Sequence, residues 1–136
     1  MNSNARICCR MAACREALDD GKEWSFYLIN DSVFALDWAL LHEISYEWGD
    51  MGNSETAHER VAALATSAHA LLWRDDGSGA ELRMDLLVRA CAGGHEAELR
   101  FEFPKLYIQR NLNQIAGLGK PGYAVAAEAI LPSAAI

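Results

Sequence analysis

Proline occurs three times and cysteine four times in these 136 residues, and neither marks out a stapled framework. The cysteines are Cys8, Cys9, Cys14 and Cys91, with no CxxC spacing and no histidine beside the N-terminal group. That usage excludes a zinc ligand set and fits reduced thiols in a cytoplasmic protein. Basic charge is also short: twelve Lys and Arg, scattered along the chain, stand against nineteen Asp and Glu, for a net charge of −7. Binding to nucleic-acid phosphates needs clustered cations that release counterions, so nucleic acid is excluded as a partner, and polybasic attachment to anionic lipid with it. No apolar run reaches bilayer length, because Arg10 interrupts Ile7–Cys14 and Glu128 interrupts the stretch from Tyr123 to Ile136. Neither stretch has the layout of a signal peptide, and the protein is expected to be cytoplasmic or exported without a conventional one.

Catalytic motifs are missing as well. GxGxxG, a Walker loop, a GxSxG elbow and HExxH do not occur. His42, His58, His69 and His95 are dispersed, and none has a nucleophile or acid at a useful spacing. Asp75-Asp76-Gly77-Ser78-Gly79 is too compact to supply the roughly six to eight oxygens of a calcium site and reads as a turn. No enzyme, metal or cofactor is expected.

What remains is enough apolar material for one core, 51% hydrophobic residues against 23% charged. Residues 1–23 stand apart as an N-terminal extension. Ile7, Met11, Cys14 and Leu18 recur at four- and three-residue spacing, which predicts a short helix before Asp19-Asp20-Gly21. From residue 24 to 136 the pattern becomes that of strands. Trp24–Asn30 is apolar and ends in the Asn30-Asp31-Ser32 turn cluster, and Trp38–Trp48 alternates, with Trp38, Leu40, His42, Ile44, Tyr46 and Trp48 on one face. A loop over Gly49–Ser54 follows. Residues 55–74 admit an Ala-rich helix or two short strands, Arg60–Leu64 and His69–Arg74, joined at Ala65-Thr66-Ser67; the strand reading fits its surroundings better. Leu82, Met84, Leu86 and Val88 then alternate with polar residues, turn at Ala92-Gly93-Gly94-His95, and return through Leu99, Phe101 and Phe103 to Pro104. A last strand begins at Tyr123. Short strands joined by Gly, Asp and Asn turns predict an all-β fold, a single antiparallel β-sandwich with a short N-terminal helical extension.

The aromatics stand out. Trp48 lies at the rim of the Gly49 loop, Trp73 just before the Asp75 turn, and Tyr107 after Pro104. Rim aromatics suit membrane and protein interfaces, and they also suit the capped ends of a core. In its order of features the chain resembles the aegerolysins, small acidic β-sandwiches that bind membrane lipid. The similar points are Trp24 opening an apolar strand that ends at Asn30-Asp31-Ser32, the Trp48-Gly49 step, the Gly77-Ser78-Gly79 turn before a Leu-rich strand, and Phe103-Pro104 followed by Asn111. The family's Cys-Pro-Trp-Gly element and Cys-Gly-Arg turn are absent, and actinoporin-like sandwiches share the same strand logic. The resemblance implies lipid binding through Trp48, Gly49, Trp73 and Tyr107, with a pore-forming protein as partner. A second reading, an acidic protein-binding module such as a toxin immunity protein, fits the charge and the reduced cysteines equally well.

Overall fold

The computed structural model describes residues 5–16, 24–48, 51–56, 60–75, 83–105 and 112–131; for residues 46–48 and 51–56 the strand course alone is described. The chain forms two antiparallel sheets facing each other across one core, and no helix occurs among the described residues. The expected N-terminal helix is a strand. In β1 (Arg6–Arg15), Ile7, Cys9, Met11 and Ala13 alternate into the core, while Ala12 and Cys14 are buried on the opposite face. A strand covered on both sides loses its alternation, and its apolar residues then satisfy helical spacing by coincidence.

β1 is the middle strand of the first sheet. It pairs on one edge with β2 (Trp24–Asn30) and on the other with β10 (Lys120–Ile130). β6 (His69–Asp75) extends the sheet beyond β2, and the three-residue β9 (Asn113–Ile115) pairs with the start of β10. Arg6–Arg15 are therefore part of the sandwich and not an appendage to it. The second sheet is centred on β3 (Leu36–Trp48) and β7 (Arg83–Ala92), with β8 (His95–Phe103) beyond β7. The other edge of β3 is shared: β5 (Arg60–Leu64) takes Leu36–Leu40 and β4 (Met51–Thr56) takes Glu43–Trp48.

Two strand expectations need correction. Trp48 pairs with Met51, so Met51–Ser54, expected as loop, lies within β4, while Gly49 and Asp50 are outside the described residues. Along β3 the register against β7 shifts between Leu41 and Glu43. This bulge at His42 reverses the inward parity, so Ala39, Leu41 and Ile44 are buried while Trp38 and Leu40 are half-buried. Residues 60–64 and 69–75 form the two strands preferred for them. The β7–β8 hairpin also follows its pattern, with Met84, Leu86, Val88, Leu99, Phe101 and Phe103 buried. Gly93 and Gly94 turn it at φ 58° and 79°, where a Cβ would be strained.

The two sheets meet through aromatic packing. The Phe26 ring lies 4.9 Å from Trp73 and meets the edge of Phe103 at 5.5 Å. Where the chain crosses between sheets the polar groups are satisfied by Asn30, which is fully buried. Its Nδ2 donates to Phe34 O and Leu64 O, both at 3.0 Å, and its Oδ1 accepts from Ser32 N. Its backbone exchanges hydrogen bonds with the β5–β6 turn, Asn30 N to Ala68 O and Ser67 N to Asn30 O. One side chain thus fixes two crossovers.

Candidate functional site

Of the four residues expected to bind, only Trp73 has a described side chain. It is half-buried against Phe26 and belongs to the wall of the core. Trp48 is placed by its backbone at the tip of the β3–β4 hairpin, opposite Met51. Gly49 and Tyr107 lie outside the described residues, as does Gly77-Ser78-Gly79. Trp24 is also in the core, at 3% exposure. The structure therefore does not gather the described tryptophans on a rim.

The outer face of the second sheet carries a mixed set of aromatic, aliphatic and charged side chains. Strand alternation puts Trp38 and Leu40 of β3, Leu87 and Arg89 of β7, and Glu98 and Arg100 of β8 on this face. Arg60, opposite Leu40 on β5, holds its guanidinium 5.0 Å from the Trp38 ring centroid. Across β7 and β8 the register sets Arg89 beside Glu98, Leu87 beside Arg100 and Asp85 beside Glu102. Arg83 bridges the last pair, bonding Glu102 and standing 3.6 Å from Asp85 Oδ1, which accepts no hydrogen bond from the described residues. A shallow cleft of about 220 Å³ opens between Arg89, Glu96, Ala97 and Glu98. At the hairpin end Asp37 accepts from Gly94 N at 3.2 Å and from the Cys91 thiol. Burial first, then Asp37, raises the Cys91 thiol, so it stays protonated and is a poor nucleophile.

The outer face of the first sheet is built differently, because the β9–β10 hairpin folds onto it. Ile115 and Leu118 pack on Ala12, Cys14 and Ile29, with Tyr27 and Ala124 alongside, as a small cluster separate from the main core. Close approach requires Gly122, since a Cβ there would stand 2.8 Å from both Ala13 O and Cys14 Sγ. Beside this cluster three side chains close a triangle. Lys120 Nζ donates to Glu16 Oε2 at 2.5 Å and to Tyr27 Oη at 2.9 Å, and Tyr27 Oη donates to Glu16 Oε1 at 2.7 Å. Burial would raise Glu16, but hydrogen bonds from Lys120, Tyr27 and Ser25 outweigh it and bring the carboxyl to about 2. Lys120 is raised, chiefly by its bond to Glu16. At neutral pH Glu16 and Lys120 are both charged while Tyr27 keeps its proton and donates it to Glu16, which suits a tie and not an acid–base pair.

A second cleft, of about 330 Å³, lies over Cys8, Asp31, Ala126 and Glu128. Both carboxylates are engaged, Asp31 by Arg10 at 2.6 and 2.9 Å and Glu128 by Arg6 at 2.8 Å. Desolvation and then Glu128 raise the Cys8 thiol. Among the described residues no group of three His, Cys, Asp or Glu could hold a metal ion, and no helix is long and apolar enough to cross a membrane. Sequence reasoning missed Trp38–Arg60 and the Glu16–Tyr27–Lys120 triangle. A Trp and an Arg on neighbouring strands were visible and share a face through the regular β3–β5 register, but the bulge after Leu41, which has no sequence signature, puts that face opposite to Ile44 and outside the core. The comparisons add no relative: no family model, no curated protein and no solved structure matches the chain.

Proposed function

We propose that the protein is a non-enzymatic recognition domain that binds another protein through the outer face of its second sheet. The observation that carries this reading is the half-buried Trp38 under Arg60, with Leu40 next to it on the same face of β3 and the charged pairs of β7 and β8 beyond. Tryptophan and arginine dominate the binding energy of protein interfaces, and a charged surround fixes register and steers encounter. The net charge of −7 favours a basic partner, as for a toxin immunity protein, and a cytoplasmic setting would keep the four thiols reduced.

The aegerolysin-like reading supplies a second proposal, a lipid-binding domain exported without a conventional signal peptide and working with a pore-forming protein. It is favoured by the backbone placement of Trp48 and Met51 at a hairpin tip. The two readings separate in one set of measurements. A partner recovered with the tagged protein is purified and its affinity measured with wild type, Trp38→Ala and Trp48→Ala, beside sedimentation with phosphatidylcholine–sphingomyelin and phosphatidylserine vesicles. Loss of partner affinity in Trp38→Ala alone, at unchanged Tm, supports the protein reading. Vesicle binding that is lost in Trp48→Ala and kept in Trp38→Ala overturns it in favour of lipid.

A further inference from the structure

We infer that the β9–β10 hairpin is a hinged flap, latched by the Glu16–Tyr27–Lys120 triangle, which opens while the sandwich stays folded and bares the Cys14 thiol with its apolar floor. The hinge is visible in the pairing. Lys120, Pro121 and Gly122 pair with β9, and from Tyr123 onward the strand pairs with β1, so β10 changes partner at one peptide. At that point the chain passes against Ala13 O and Cys14 Sγ with room for a hydrogen and none for a methyl group. Beyond the hinge, the flap's buried apolar residues, Ile115 and Leu118, join the satellite cluster and not the main core. Lifting them therefore leaves Phe26, Phe101, Phe103 and their neighbours packed. Leu112, just before β9, and Tyr123, just after the hinge, pack against the main core and anchor the base of the flap, and a segment that buries only a satellite cluster opens at a fraction of the cost of global unfolding.

Two things oppose opening, the burial of Ile115 and Leu118 on the sheet and the latch. Glu16 follows β1 and Tyr27 sits on β2, so both are fixed to the sheet, while Lys120 rides on the flap. The surrounding groups reinforce the fixed side. Arg74 Nε reaches Ser25, and the His69 ring meets Tyr27 edge-on at 5.8 Å. Arg10 lies under the flap tip, its guanidinium 3.5 Å from the position a Cβ would take on Gly117, and is held by Asp31. Lys120 also covers the Tyr27 ring at 4.6 Å. Removing its ammonium cuts both bonds to the sheet without touching the floor. The Lys120 side chain is 38% exposed, so solvent already screens part of the interaction and the gain in open population is about fivefold, not a hundredfold.

Cys14 and Cys9 provide the readout. Both are buried in β1, but Cys14 lies under the flap and Cys9 belongs to the main core. The full chain in a Cys8→Ser background is labelled with N-ethylmaleimide under native conditions, digested with trypsin and quantified by mass spectrometry; cleavage at Arg10 separates the two sites. Cys14 is expected to label faster than Cys9, and Lys120→Met to speed Cys14 about fivefold with Cys9 unchanged. Leu118→Ala, which thins the flap and leaves the latch intact, is expected to do the same. A single common rate for both thiols in all three proteins, or a Cys14 rate indifferent to both substitutions, would overturn the flap.

Discussion

Replacing Asn30 with alanine tests the claim that one side chain fixes both crossovers. The substitution removes two donors and one acceptor from a site with no exposure to solvent. It leaves Phe34 O, Leu64 O and Ser32 N to find other partners. A buried polar group deprived of its partner costs about 1–3 kcal/mol, and the space left by the amide can admit water to one of the three. About 3 kcal/mol is therefore the expected loss, roughly a 10 °C fall in Tm for a domain of this size. Urea unfolding followed by far-UV circular dichroism measures it, with a lowered midpoint at an unchanged m-value. Val33→Ser in the same β2–β3 loop is the control, because Val33 is 92% exposed and its loss is expected to be within about 0.5 kcal/mol. A loss under about 1 kcal/mol for Asn30→Ala would refute the reasoning, since it would mean the three backbone groups are satisfied without it.

Other substitutions read other parts of the structure. Gly122→Ala sets a methyl group against backbone and is expected to lower stability by about 1–3 kcal/mol, seen as a drop in Tm. Trp73→Ala removes the ring tilted against Phe26 and is expected to cost about 2–3 kcal/mol in urea unfolding, the low end for large aromatics because the ring is only half-buried. Arg6→Ala breaks an exposed pair with Glu128 and is expected to change Tm by less than about 2 °C. For Glu16, the folded carboxyl titrates at about 2 against an ordinary 4.5, so its contribution is complete above 4.5 and is lost as pH falls toward 2. The stability difference between wild type and Glu16→Gln is accordingly expected to be constant from neutral pH to about pH 5 and to shrink below it. An unchanged difference at pH 2.5–3 would contradict the hydrogen bonds assigned to that carboxylate.

The sequence was most legible where one face of a strand is wet. β7 and β8 alternate strictly, and Gly93-Gly94 announces their turn, so the hairpin can be read without coordinates. β1 could not be read that way. Arg6, Cys8 and Arg10 alternate with core residues in its first half, but with Ala12 and Cys14 beneath the flap the run Met11–Cys14 has no wet face to set a period of two. A short apolar run of that kind is better read by length than by spacing. β3 shows a different limit: its existence is plain, but one extra residue at His42 exchanges the faces of Trp38 and Leu40, and alternation cannot reveal a bulge that it assumes away. The same inversion hid the surface now proposed to bind. Glu16, Tyr27 and Lys120 share no motif at all, because only the fold of the hairpin over the sheet brings them together.

The pairing of β1 with β10 has a consequence for how the protein is made. Arg6 lies opposite Ile130, so the middle of the first sheet is completed by strands from the two extremes of the described chain. During synthesis β1 and β2 can form a hairpin early, but the other edge of β1 remains an open row of donors and acceptors until β10 has emerged. Through that interval an apolar strand with Ile7, Cys9 and Met11 on one face waits for a partner, and a chaperone or another nascent chain can reach it first. Long-range closure of this kind makes folding slow, in the millisecond-to-second range typical of sandwiches, and makes shortened chains ending before residue 120 prone to aggregate.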